Sequence, residues 1–529
     1  MNVFSRAAWL ALSGGFALSC TASALAAEAA KAALPAGAPV HHVLLISVDG
    51  LHGSDLAHYV AAHPSSELAR LARRGVEYTA ARTVEPADSF PGLAALVTGG
   101  TPAETGIYYD VSYDRTLAAP GSDCTHPGTR VPFDESLDRR DAAGNIGIDP
   151  ARLPRDPARA CAPVWPHAYL RVNTIFEAVR EAGGYSAWID KHPAYEFVEG
   201  PSGRGVNDLF LPEIGANFEK LQPDAAHASG ITGSLARTEA YDAMKAKAIG
   251  EEIAGRTHDG SAAAPVPNVF GLNFQAVNVA QKLYGYRDAS GALTPGVDAA
   301  IGHVDRLLAG FDAALRRRGL LDDTLVVVTA KHGNGPFDPA RLHRIDTAKL
   351  EAAIAQAAPG ALAQLTPDHG ALVWLNDASA APKVAAGLQA QAQALGIAEV
   401  LTGDALAQRL GTRPGDPRVP DLAVVTRDGV IYTKPGDGKL AEHGGFHDDD
   451  TQVALLVSSP RLSGQGGRVS APVSIASVAP TVLASLGLDP ALLQAVAEQH
   501  TAPLPGLHWR AAVHDAHAVH DAHRTGTPS

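Results

Sequence analysis

The run Val43 to Val48 is almost continuously apolar, which suits a central parallel strand buried on both faces. A helix is predicted over Ser66 to Arg74, stopped by Gly75, with a strand at Val76 to Thr79. Phe90 to Thr98 reads as a helix ending at Gly99-Gly100, and Thr174 to Ala182 as another closed by Gly183-Gly184. The strand Tyr185 to Ile189 follows, then a helical pattern from Ser234 to Glu252 and a strand at Asn268 to Asn273. Thr294 to Arg318 is a long amphipathic segment halted at Gly319, and it feeds Thr324 to Thr329, the most strand-like run in the chain. Strands alternating with helices predict an α/β fold, with a mostly parallel sheet covered by helices on both faces.

The Ala/Gln-rich stretch 339–438 breaks this rhythm. It carries helical blocks at Ala348 to Gln356 and Ala381 to Leu395, and strands at Ala371 to Leu375 and Leu422 to Val425, as a cap or insertion would. The chain returns to the core over 439–505 through Val453 to Val457, and Ser477 to Leu486 reads as a last core helix. The first part of the core spans 41–338 and contains a Pro-, Asp- and Arg-rich stretch of irregular character, about 111–165.

Length and composition agree with a large α/β body: 529 residues, 46% hydrophobic and 19% charged. A formal charge of -13 argues against a nucleic-acid polymer as partner, and leaves room for a local basic pocket that takes a small anion. Arg6, the apolar stretch Ala7 to Leu18 and Ala24-Leu25-Ala26 form a secretory signal over 1–26, followed by an Ala-rich linker, 27–40. Cys20 sits in a poor lipobox. No other stretch is long and apolar enough to span a membrane, so the mature chain is expected to be exported, periplasmic or extracellular. There Cys124 and Cys161 are expected to pair, two free cysteines being the alternative. The tail 506–529 spaces His514, His517, His520 and His523 by three, as a helical chelator or a plain low-complexity end.

Several residues stand where chemistry collects. Asp49 follows the first buried strand directly, at the strand edge where open α/β sheets bind ligands; a turn or helix-capping Asp is the plain alternative. Ser89 lies just ahead of an apolar helix, where free amide donors and the positive dipole end favour an alkoxide and an incoming phosphoryl or sulfuryl oxygen; it also suits an ordinary N-cap. His332 follows the strongest strand, and His443 lies in Ala441-Glu442-His443-Gly444-Gly445-Phe446-His447. Histidines in such Gly-flanked turns are accessible ligands or bases.

Val48-Asp49-Gly50, Asp88-Ser89-Phe90-Pro91, Leu96-Val97-Thr98-Gly99-Gly100-Thr101-Pro102, Gly106-Ile107, His332-Gly333 and His443-Gly444-Gly445 occur in one order along 41–485. In that order they resemble the alkaline phosphatase superfamily, and within it the type I phosphodiesterase/nucleotide pyrophosphatase family. The resemblance implies an alkaline-phosphatase-like sheet and a two-zinc phosphate ester hydrolase acting on a small molecule. It matches Ser89 to the nucleophile, Asp49 and His332 to ligands of the metal beside it, and His443 to a ligand of the other. Asp110 falls near an asparagine that binds a phosphoryl oxygen.

Three of the expected ligands are missing. The family's Asp-His-Gly reads Lys331-His332-Gly333, and the segment 273–282, where its Asp-x-x-x-His is expected, holds neither Asp nor His. One divalent metal, zinc by resemblance, is therefore favoured over two, held by Asp49, Ser89, His332 and His443, and a metal-free mechanism stays open. Lys331 is then a cation standing in for lost metal charge, or a lysine turned to solvent. Asp110, Gln275, Asn278 and Lys282 would meet the substrate, Gln281 would donate a hydrogen bond where a metal ligand stood, and His443 would act as general acid or base. Other readings on the same scaffold are hydrolysis of a sulfate, phosphonate or carboxylic ester, and a non-catalytic binding protein.

Overall fold

The computed structural model describes residues 34–510 apart from 36, 143, 216–229, 288–291, 414 and 465. The expected signal segment and the four tail histidines lie outside the described residues. Eight strands form the central sheet: β1 (His42–Val48), β2 (Gly75–Tyr78), β3 (Ser186–Ile189), β4 (Asp208–Phe210), β5 (Val269–Phe274), β6 (Thr324–Thr329), β7 (Leu455–Ser458) and β8 (Gly467–Val469). Their spatial order is β4-β3-β5-β1-β6-β7-β2-β8. All neighbours run parallel except β7, which is antiparallel to β6 and β2.

The near-continuous apolar runs are explained by this order. β1 pairs with β5 on one side and β6 on the other, Val43 lying opposite Val269 and Leu325. Every residue of β5 and β6 is buried, as a strand covered on both faces must be. Helices flank the sheet: α1 (Gly53–Ala62), α2 (Glu67–Arg74), α3 (Ser89–Thr98), α4 (Ile175–Glu181), α5 (Leu235–Ile253), α6 (Ala276–Tyr284), α7 (Pro295–Arg317) and α8 (Val478–Ser485). α7 packs along α5 and α6, and α3 packs against α8. Each residue of α3 is buried, so its all-round apolar composition is that of a helix inside the body. Among the described residues no helix is long and apolar enough to cross a membrane.

Two stretches differ from the pattern reading. The segment expected to be irregular contains a four-stranded antiparallel sheet of Val111–Ala118, Pro127–Pro132, Arg155–Asp156 and Ala162–Pro163. Prolines at strand ends obscured it, because they read as breakers yet cost little where no ladder bond is needed. The Sγ atoms of Cys124 and Cys161 lie at bonding distance here, with Cα atoms 5.9 Å apart. Between 339 and 438, Leu362–Pro367, Gly370–Leu375, Leu422–Thr426 and Ile397–Thr402 form a second antiparallel sheet, two of whose strands the pattern missed. It has an apolar core of its own around Leu350, Val373, Val384 and Leu388.

Candidate active site

Four neighbouring strands end at one edge of the sheet, and each delivers polar groups there. β1 ends in Asp49, β3 in Asp190-Lys191, β5 in Asn273 with Gln275 just beyond, and β6 in Lys331-His332. Asp49 is wholly buried. Its Oδ2 accepts from Gln275 Nε2 at 2.6 Å, Lys191 Nζ at 2.8 Å and Asn273 Nδ2 at 3.3 Å, and Lys331 Nζ stands 3.5 Å away.

Ser89 is the first residue of α3, and the N-cap is Asp88, whose side chain accepts from Phe90 N at 3.0 Å. The cap role is thus taken, and the Ser89 hydroxyl faces the strand edge. Its Oγ lies 3.0 Å from His332 Nε2, 3.2 Å from Lys191 Nζ and 3.5 Å from Asp49 Oδ2. His332 Nδ1 sits 2.7 Å from the Gly333 carbonyl, which can only accept, so the proton is on Nδ1 and Nε2 turns a lone pair to Ser89. The His443 ring centroid is 3.9 Å from that of His332. Gly92 brings α3 close to β6: a Cβ there would meet the Lys331 carbonyl at 2.2 Å.

Burial and charge set the protonation states. Burial pushes the Asp49 carboxyl up, but Lys191, Lys331 and His332 together hold it far below the usual carboxylate range. Burial holds His332 down at about 3, and with Lys191 beside it the ring is a neutral base. Burial, with His332 next, also holds His443 well below the usual imidazole range. Burial opposes the charge of Lys191, yet Asp49 outweighs it and raises that ammonium. Lys331 is lowered by burial despite Asp190 and Asp49.

Lys331 is not turned to solvent. It is fully buried, with Nζ 3.4 Å from Asp190 Oδ1, 3.3 Å from Tyr195 OH and 4.4 Å above the Tyr195 ring. Of the expected substrate contacts, Gln275 reaches the centre through Asp49. Asn278 instead accepts from Asn334 Nδ2 at 2.9 Å, and Gln281 donates to Gly50 O at 2.8 Å. Both pack behind the β1 turn, where Gly50 has φ +80° and a Cβ would meet Gln281 Oε1 at 2.2 Å. Lys282 is ion-paired with Glu442. Asp110 lines a cavity of about 930 Å³ with Asp368 and Glu442. Burial first, then Asp88 and Asp368, push the Asp110 carboxyl well up.

Lys191, Asp190 and Asn273 join the centre without having stood out as site residues in the sequence. Asp190-Lys191 had a usable signal, since charged residues directly after a buried strand are the pattern that singled out Asp49.

Zinc wants imidazole, thiolate or carboxylate donors. Asp49, Ser89, His332 and His443 do come together, and Asp49 Oδ1 is buried with no donor. Against that, two ammonium groups lie within 3.5 Å of Asp49 Oδ2, and Ser89 and His332 are already bonded to each other. A carboxylate oxygen already shared by two ammonium groups does not suit a divalent ion. Among the described residues, one group of three His, Cys, Asp or Glu side chains has all its ligand atoms within 4.8 Å of one another: Glu135, His192 and Glu213. It is a candidate metal-binding cluster outside the Ser89 centre.

A mostly parallel sheet with a helix-borne serine, an aspartate and a histidine at its carboxyl edge defines a hydrolase of alkaline-phosphatase-like architecture. The sequence model of "Type I phosphodiesterase / nucleotide pyrophosphatase" matches residues 43–450, and the chain belongs to that family. Solved structures share the fold. Murine ectonucleotide pyrophosphatase/phosphodiesterase 5 is 17% identical with a TM-score of 0.54, the match covering 85% of this chain and 96% of that one. The same figures hold for an inactive variant of the murine protein in complex with AMP. The human counterpart is 14% identical with a TM-score of 0.54, over 84% of this chain and 95% of that one. No curated protein matches the chain.

Proposed function

We propose that this hydrolase cleaves a phosphodiester of a small molecule, through a covalent intermediate on Ser89. The observation that carries the reading is Ser89 Oγ held between His332 Nε2 at 3.0 Å and Lys191 Nζ at 3.2 Å. A neutral imidazole on one side accepts the hydroxyl proton, and an ammonium on the other stabilises the alkoxide. Oγ bonds to phosphorus while the bond to the leaving alcohol breaks. Water gives that alcohol its proton, and the hydroxide adds to phosphorus as the P–Oγ bond breaks. Ser89 then recovers its proton from His332. His443, its ring tilted against that of His332, positions it.

Charge favours a diester over a monoester. Asp49 and Asp190 offset Lys191 and Lys331, so the centre lacks the surplus positive charge that a dianionic monoester calls for. A sulfate ester carries the same single charge and is the second reading. Chromogenic phosphodi-, phosphomono-, sulfate and acyl esters separate them. Diester turnover with a phosphoryl group trapped on Ser89 supports the proposal, and preferred turnover of another ester overturns it.

If the chain carries zinc, the cluster of Glu135, His192 and Glu213 is its seat in this reading, and the Ser89 centre is not. The reading also includes export, supported by Arg6, the apolar stretch Ala7 to Leu18 and the Cys124–Cys161 pair.

A further inference from the structure

Lys191 makes the contacts that a catalytic cation between nucleophile and carboxylate would make. Its Nζ lies 2.8 Å from Asp49 Oδ2, 3.2 Å from Ser89 Oγ and 3.4 Å from Gln275 Oε1. It arrives from β3, two strands away from β1 in the sheet, by the reach of a four-carbon stem. The second change lies on β6. Lys331 places another ammonium 3.5 Å from Asp49, and the surrounding groups are built to keep it. Asp190 Oδ1 and the Tyr195 hydroxyl are its partners, and the Tyr195 ring lies beneath it. The third change lies at the end of β5, where Asn273 and, just beyond the strand, Gln275 turn amide donors to Asp49 Oδ2. Amide donors and ammonium groups compensate a carboxylate as a metal would, and the ammonium groups repel a metal.

We propose that the Lys191 ammonium has replaced the metal ion at this centre, so that Ser89 is activated without metal, and that removing the two lysines turns the centre into a zinc site. The proposal rests on the serine-hydrolase reading for what Lys191 does, but not for what zinc does. Asp49 Oδ2, which both ammonium groups face, is the ligand atom such a variant would release, beside Asp49 Oδ1, already buried without a donor, and His332 Nε2, 3.8 Å from Oδ2. Lys331→Asp would add a further carboxylate ligand.

The deciding experiment is zinc titration calorimetry on the full chain carrying Glu213→Gln, which silences the other cluster. That protein is expected to bind no zinc through Asp49. Adding Lys191→Ala and Lys331→Asp is expected to create one zinc site, lost again with Asp49→Asn. Asp49-dependent zinc binding before the lysines are removed overturns the proposal, and so does a folded double variant that binds none. If the double variant does not fold, the unaltered chain dialysed against a chelator decides. Turnover is expected to survive within about twofold, while Lys191→Met loses about 100-fold or more, the scale of losing one preorganised donor. Turnover that disappears with chelator and returns with zinc, or that survives Lys191→Met, overturns it. If no phosphodiester is turned over at all, the proposed reaction fails and the calorimetry still decides the zinc question.

Discussion

Lys191 and Asp49 form a buried ion pair, Nζ to Oδ2 2.8 Å, between strand ends that have β5 between them. The attraction is large enough to matter: unit charges about 4 Å apart are worth about 4 kcal/mol at the effective dielectric of such sites. It keeps an otherwise costly buried carboxylate ionised next to the Ser89 hydroxyl.

Ser89→Ala removes the nucleophile and leaves its neighbours in place. Diester turnover is expected to fall by about 10³-fold or more, with no label on the protein after a substrate pulse. Thermal melting is expected to shift little, because the lost hydroxyl leaves Lys191 bonded to Asp49 and Gln275.

Lys331→Met strands Asp190 in the interior. Breaking a buried pair from one side costs about 3–5 kcal/mol. The double variant Lys331→Met/Asp190→Asn is expected to recover part of that loss, so denaturant unfolding of the two single variants and the double should be clearly non-additive.

Acid stability depends on His332. Its folded-state value, about 3, lies below the ordinary imidazole value near 6.5, so the unfolded chain binds the extra proton between the two. Stability from the neutral ring is complete above about 6.5 and is lost as the pH falls toward about 3. His332→Gln should flatten the unfolding free energy across that window, measured against denaturant at successive pH values.

Replacing Cys124 and Cys161 by serine should loosen the insertion. The bridged positions are 37 residues apart, and closing a loop of that length contributes about 3–4 kcal/mol in the chain-entropy account. Limited proteolysis is expected to cut between 119 and 161 in the variant and not in the oxidised chain.

Glu213→Gln is expected to remove the metal-binding capacity of the outer cluster. Zinc titration should show a site in the unaltered chain that is absent from this variant, because Glu213 is the buried carboxylate of the three, with its two oxygens 2.8 and 2.9 Å from His192 Nδ1.

The sequence by itself determined the α/β alternation, the buried β1, β5 and β6, and the presence of Asp49, Ser89 and His332 at element ends. Those are local matters: a doubly covered strand must be apolar, and the residue that follows it comes out at the sheet edge. Through the family resemblance it also exposed Lys331 as a cation where that family carries a carboxylate. Only the tertiary structure decided which way Lys331 points and that Lys191 joins it. Neither follows from local pattern, since a lysine side chain reaches several ångströms and its direction is set by distant partners. Asp190 and Tyr195 draw Lys331 inward, and the order β3-β5-β1 brings Lys191 to Asp49 across 142 positions of chain.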